Sequence, residues 1–176
     1  MQLDLYKNFF ASYFHGAEVV SQINESINLL KDKKRVFFIG NGGSNSICSH
    51  MMEDYGKIAG YKSYTFSDAA LITCYANDYG YENAMAEWLK LHMESEDVLV
   101  AISSSGNSKN IINAVNEAKS KGCEIIVLSG FKPDNTLRKL GHVNFYLPVE
   151  NYGIVECYHQ IILHTILDEL ALIRKK

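Results

Sequence analysis

Three short apolar runs, each ending on a glycine or a serine, limit what this chain can fold into. They are Arg35-Val-Phe-Phe-Ile-Gly40, Asp97-Val-Leu-Val-Ala-Ile-Ser103 and Glu124-Ile-Ile-Val-Leu-Ser129. Such compact runs, with no alternation of polar residues, mark strands buried on both faces of a parallel sheet. Val143-Asn-Phe-Tyr-Leu-Pro148 is a weaker fourth strand, and Ser63–Ser67 is a short fifth. Helical stretches fall between them, at about 44–59, 81–95 and 108–121. Strands alternating with helices predict an α/β fold, a doubly wound parallel sheet flanked by helices. Long helices bracket this pattern. Leu3, Tyr6, Phe10, Phe14, Val19, Ile23, Ile27 and Leu30 recur at spacings of three to five and predict an N-terminal helix over about 1–31, with a break near Gly16. Ile154, Tyr158, Ile161, Ile162, Thr165 and Ile166 define the inner side of a terminal helix over about 152–174. No linker interrupts the chain, so one domain over 1–176 is expected.

Charge and cysteine usage narrow the possible partners. The 176 residues carry a formal net charge of −3, which argues against nucleic acid, since a phosphate backbone needs a basic face. Cys48, Cys74, Cys123 and Cys157 form no CxxC pair, so a disulfide framework or a cysteine-based zinc site is not expected. The N-terminus has Asp4 and Lys7 among its apolar residues and does not read as a signal peptide. No apolar run is long enough to span a bilayer. A cytoplasmic protein with no membrane partner is the expectation.

The two sharpest motifs lie just beyond strands, where ligands bind in open α/β sheets. In Gly40-Asn-Gly-Gly-Ser44 the glycines permit close backbone approach, and Ser44 is expected to cap the next helix. In Ser103-Ser-Ser-Gly-Asn-Ser108 four hydroxyls surround a helix N-terminus, whose free N–H groups and dipole favour an anion such as phosphate. Neither loop is a Walker A or a GxGxxG motif. Asn77-Asp78, within Ala76-Asn-Asp-Tyr-Gly80, reads as a turn.

Ionisable residues recur on two of the expected helices. His50 and Asp54 are four apart, on one helical face, where they can meet a metal ion, a substrate or simply each other. Glu156 and His164 are eight apart, about 12 Å of rise and about 80° of rotation. They share one small site only if both side chains lean inward or if a neighbouring subunit contributes. His159, between them, faces elsewhere and reads as structural. His15, His92 and His142 belong to no motif.

Taken in order and spacing, these residues resemble the sugar isomerase (SIS) domain family, and within it the phosphoheptose isomerases. Such enzymes convert sedoheptulose 7-phosphate to glycero-manno-heptose 7-phosphate, as homotetramers with active sites between subunits, many of them holding zinc. The resemblance implies an SIS-type fold. It also implies substrate contacts from Asn41, Gly42, Gly43, Ser44, Asn77, Asp78, Ser103, Ser104, Ser105, Ser108 and Glu156. Metal positions would be His50, Asp54, Glu156 and His164. Asp54 would be the catalytic base and His164 the acid, with Glu156 able to act as base from the opposite side. The chain departs from the family at two of these places: Asp54 stands where glutamate is usual, and Glu156 where glutamine is usual. A Gly-Arg-Tyr run that follows the first pair in the family is absent, and Lys57 lies nearby out of register.

Two carboxylates and two neutral imidazoles balance the charge of Zn²⁺ and are suitable ligands for it. The expected reaction is an aldose–ketose isomerisation through an enediol(ate), with a phosphorylated sugar as substrate. Competing readings are isomerisation or epimerisation of another sugar phosphate, and a non-catalytic SIS module that binds protein. The long apolar terminal helices exceed what one small sheet needs to cover it, which predicts a homo-oligomer, with a tetramer implied by the resemblance.

Overall fold

The computed structural model describes residues 2–14 and 16–174; His15 lies outside them. Five strands, β1 (Arg35–Ile39), β2 (Lys62–Thr65), β3 (Val98–Ser103), β4 (Glu124–Gly130) and β5 (Val143–Leu147), form one sheet in the order β2-β1-β3-β4-β5. Every pairing is parallel. Among the described residues, seven helices accompany them, α1 (Gln2–Tyr13), α2 (Ala17–Leu30), α3 (Gly43–Ala59), α4 (Ala69–Tyr79), α5 (Tyr81–His92), α6 (Lys109–Ser120) and α7 (Tyr152–Arg174), with a 3-10 turn at Leu137–Lys139.

Burial explains why some strands were easier to read than others. All six residues of β3 are buried, as are Val36–Ile39 of β1 and the last six of β4. Side chains on both faces of these strands enter apolar layers, so their sequences are nearly unbroken apolar runs. The edge strands alternate instead: Val143, Phe145 and Leu147 of β5 are buried while Asn144 and Tyr146 are partly exposed, and β2 has no buried residue.

One layer joins Val36, Phe38, Val98, Val100, Ile126 and Leu128 to α2, α3 and α7, with aromatic residues of α1 packed against it. The opposite layer joins Phe37, Ile39, Leu99, Ala101, Ile125 and Val127 to α5 and α6, with Leu71, Ile72 and Tyr75 of α4 at its border. The expected N-terminal helix is indeed divided at Gly16, which precedes α2 in extended conformation (φ −75°, ψ 128°). Tyr13 and Phe14 then pack against Tyr158 of α7 at centroid distances of 6.0 and 5.5 Å.

Two expectations are corrected. Asn77-Asp78 is not a turn but the last turn of α4, a helix that the sequence pattern did not reveal. Asp68 starts it by accepting a bond from Leu71 N at 2.9 Å, and Gly80, at φ 77°, ends it. Its apolar side is only Leu71, Ile72 and Tyr75, too short a pattern to establish a helical period. Ser44 does not cap α3: Gly42 is the cap residue, without a side-chain bond, and Ser44 is buried inside the first turn. Among the described residues no helix is long and apolar enough to cross a membrane.

His159 is wholly buried on the inner side of α7. Its Nε2 lies 3.3 Å from Ser129 O at the end of β4, and its Nδ1 has no protein partner. Burial pushes its pKa down to about 4 from an ordinary 6.5, against a smaller opposing effect of the Ser129 carbonyl. Its structural reading therefore stands. Below pH 6.5 the unfolded chain takes up a proton that the folded chain refuses, so acid favours unfolding. The contribution is intact above about pH 6.5, falls as pH drops, and levels off below about 4. The expected total is about 3 kcal/mol, at 1.36 kcal/mol per pKa unit. Urea unfolding from pH 7.5 to 4 should show this loss in the wild type and a shallower slope in His159→Gln. Equal slopes would contradict it.

Candidate functional site

Strand order decides where the two loops meet. In the order 2-1-3-4-5 the chain turns to opposite sides after β1 and β3, which lie side by side, and the crevice between their carboxyl ends is the topological switch point. The Gly40–Ser44 loop follows β1 and the Ser103–Ser108 loop follows β3. Between them is a cleft of about 260 Å³ lined by Asn41, Gly42, Gly43, Ser44, Ile102, Ser103, Ser104, Ser105, Ser108, Tyr152 and Glu156. Nine of the sequence-predicted substrate residues are in this lining. Asn77 and Asp78 are not; they are exposed, with Asn77 Nδ2 bonded to Asp78 Oδ1 at 2.9 Å.

Both helices that start at the cleft begin without a side-chain cap. Gly42 has no side chain to offer, and Ser108, the cap residue of α6, makes no cap bond. Its Oγ instead accepts from Ser103 Oγ at 3.2 Å. Ser103 Oγ also receives Gly106 N at 3.2 Å, and Ser105 Oγ receives Asn107 N at 3.3 Å. Ser104 differs from these: its buried hydroxyl has no protein hydrogen-bond partner. Two first turns with open N–H groups and one free hydroxyl make the cleft a collection of donors.

The serine loop is held by residues that sequence reasoning did not single out. Gly106 is at φ 64°, and a Cβ there would stand 2.1 Å from Asn135 Oδ1. The buried Asn135 side chain bonds Gly130 O and Arg138 N, while Leu137 N reaches Gly106 O. Asn41 turns away from a purely ligand-facing role: its amide pairs reciprocally with Asn110 of α6 at 2.8 and 3.0 Å and accepts from Tyr81 at 2.9 Å. No local motif marks Asn110 or Tyr81, because their partner is distant in sequence.

Glu156 enters the cleft from α7. Its carboxylate lies so close to the start of α3 that a Cβ on Gly43 would be 2.3 Å from Oε1. A negative charge is favoured at a helix N-terminus, and only glycine leaves room for it.

The remaining ionisable residues gather elsewhere on α3 and α7. His50 Nε2 is 3.1 Å from Asp54 Oδ2, and the rings of His50 and His164 meet edge to face at 5.0 Å. One ligand atom from each of His50, Asp54 and His164 falls within 4.8 Å of the others. Two imidazoles and a carboxylate are a donor set found in zinc sites with an open position, so these residues fit a divalent cation. Glu156 stands outside this group. Gln160, which the sequence reading passed over, stands inside it: its Nε2 is 2.9 Å from His164 Nε2 and 3.4 Å from His50 Nδ1.

Comparison with known proteins finds relatives along nearly the whole chain. Residues 17–130 match the SIS domain family model. The phosphoheptose isomerase of Fusobacterium nucleatum is 30% identical over 172 residues, covering 95% of this chain and 88% of that protein. That of Tolumonas auensis is 32% identical over 167 residues, covering 89% and 86%. The structure of phosphoheptose isomerase GmhA from Neisseria gonorrhoeae superposes with a TM-score of 0.79 at 24% identity, over 96% of this chain and 97% of that one.

Proposed function

The chain belongs to the SIS domain family, in its phosphoheptose isomerase branch, and from that premise we propose that it interconverts sedoheptulose 7-phosphate and glycero-manno-heptose 7-phosphate. The observation that carries this reading is the cleft itself, where the unpaired Ser104 hydroxyl lies beside the uncapped start of α6. Ser103, Ser105 and Ser108 shape that turn. We assign the sugar phosphate's anionic end to it, because N–H donors and hydroxyls bind phosphate without any nearby cationic side chain. The Asn41–Gly43 loop and Ser44 face the rest of the sugar. Asn77 and Asp78 lie outside the lining of this cleft, and the family resemblance assigns them to the substrate.

Isomerisation requires a base that removes a proton from the carbon beside the carbonyl and returns it to the neighbouring carbon. Glu156 suits that role, since it is the one carboxylate of the cleft lining. His50, Asp54 and His164 would then hold Zn²⁺. When bound, the ion supplies a Lewis acid that polarises the sugar carbonyl. The family resemblance supports a second division, with Asp54 as base and His164 as acid, and Glu156 in place of the usual glutamine.

A homotetramer in the cytoplasm completes the proposal. Leu3, Leu5, Ile161, Leu172 and Ile173 leave apolar surface on α1 and α7 exposed. All four cysteines are free thiols, in keeping with a reducing compartment.

Four experiments test this. Incubation with sedoheptulose 7-phosphate should yield the aldose, and Ser104→Ala should weaken substrate binding ten- to a hundredfold, the worth of about 1.5–3 kcal/mol for a hydrogen bond to a charged group. Because that hydroxyl bonds no protein atom, thermal stability should hardly change; unchanged affinity would remove Ser104 from the phosphate site. Glu156→Gln restores the residue usual in the family. A fall in kcat of at least about a hundredfold makes Glu156 the base, whereas near-wild-type turnover returns that role to Asp54. Light scattering should give four times the 19.8 kDa mass of the chain, and a monomer at micromolar concentration would overturn the tetramer.

A further inference from the structure

We propose that Tyr152, propped by Phe131, is the apolar wall of the cleft, against which the carbon chain of the sugar phosphate packs next to its phosphate. The inference rests on the reading of the cleft as a sugar-phosphate site and deepens it, by naming the residue that distinguishes a sugar phosphate from the bare anion.

The make-up of the cleft is the first argument. Glycines, serines, Asn41 and Glu156 supply nearly all of its lining, and Ile102 is wholly buried. Such groups hold a phosphate or a hydroxyl but offer little to carbon. Tyr152 is the one aromatic among the described residues of the lining, and 62% of it is exposed. It precedes Glu156 by four residues, about 6 Å of rise, so both side chains leave α7 on the same face. The face of an aromatic ring is electron-rich and attracts the slightly positive C–H groups of a sugar.

The way Phe131 is held is the second argument. Its ring meets that of Tyr152 edge to face, with centroids 4.9 Å apart and planes at 76°. It does so from φ 59°, a left-handed conformation that a bulky side chain rarely adopts, and it is the one non-glycine there among the described residues. Hydrogen bonds on both sides impose it. Gly130 N donates to Ser104 O at 3.0 Å and Gly130 O accepts from Asn135 Nδ2 at 3.1 Å, which ties the preceding residue to the serine loop. Phe131 O accepts from Tyr146 Oη at 2.8 Å, and the Arg138 guanidinium lies over the Tyr146 ring at 4.0 Å. A strained residue that its surroundings over-determine in this way marks a position where geometry matters. Tyr152 is fixed from its own side as well. Asn151 Oδ1 accepts Ile154 N at 3.0 Å at the start of α7, and a Cβ on Gly153 would stand 2.2 Å from Tyr6 Oη. Because Phe131 follows the residue bonded to Ser104, the ring it supports stands beside the phosphate end of the cleft.

The test reads binding apart from turnover. Titration calorimetry compares inorganic phosphate with a seven-carbon alditol 7-phosphate, which has no carbonyl and cannot isomerise. The variants are Tyr152→Ala, Tyr152→Phe and Phe131→Gly, the last because glycine takes φ 59° freely while losing the ring. Circular dichroism establishes that each is folded. Tyr152→Ala should bind the alditol phosphate about tenfold more weakly, and inorganic phosphate within about twofold of the wild type. Tyr152→Phe keeps the ring and should bind both like the wild type. Phe131→Gly should weaken the alditol phosphate alone, by about threefold. The proposal is overturned if Tyr152→Ala or Phe131→Gly binds the alditol phosphate like the wild type. It is overturned too if Tyr152→Phe loses as much as Tyr152→Ala, or if phosphate affinity falls in parallel. Wild-type protein with no preference for the alditol phosphate over phosphate has the same consequence. The expected pattern in a protein that fails to isomerise sedoheptulose 7-phosphate upholds the Tyr152 wall and defeats the reading of the reaction.

Discussion

Burial of the central strands on both faces is the constraint on which the rest of this structure depends. β1, β3 and β4 sit between two apolar layers, so side chains short of their carboxyl ends cannot meet a polar ligand without losing more in desolvation than they gain. Chemistry is displaced to the strand ends. There the chain must leave the sheet through turns that expose backbone N–H groups, and here it does so with glycines and serines. The order β2-β1-β3 opens a crevice between two such turns, which is why the cleft lies where it does.

α7 connects that cleft to everything else. Its inner side, Ile154, Val155, Tyr158, His159, Ile162, Leu163, Ile166 and Leu167, is buried against the sheet and its neighbouring helices. That packing fixes the rotation of the helix, and rotation in turn fixes which residues leave it toward α3. Glu156, Gln160 and His164 are spaced by four and rise together along one edge. The first faces the start of α3, while the other two face the His50–Asp54 turn in its middle. The two groups are thus held on one rigid pair of helices, where packing limits their relative movement.

Much of this was legible in the sequence. Apolar runs at 35–40, 97–103 and 124–129 announced the central strands because they are buried on both sides, and the edge strand at 143–148 looked weaker because it alternates. The loops after β1 and β3 were identifiable from glycine and serine content alone. α4 was not, since three apolar residues over five positions do not establish a period, and so Asn77-Asp78 passed for a turn. Asn110, Tyr81 and Asn135 were not legible either. Each matters through a partner 40 or more residues away or through a backbone kink, and polar residues outside a motif carry no local sign of that.

What the sequence determined by itself was the class of fold, the position of both loops and the pairing of His50 with Asp54, all consequences of periodicity and of contacts four residues apart. What tertiary structure decided was the membership of the site. From sequence, Glu156 and His164 formed a pair with 12 Å of rise to overcome, and Gln160 between them was an unremarked polar residue. Packing of α7 against α3 placed Gln160 between two imidazoles and Glu156 against Gly43. A helix fixes the spacing of its own side chains, but only the surface it packs against determines what each of them can reach.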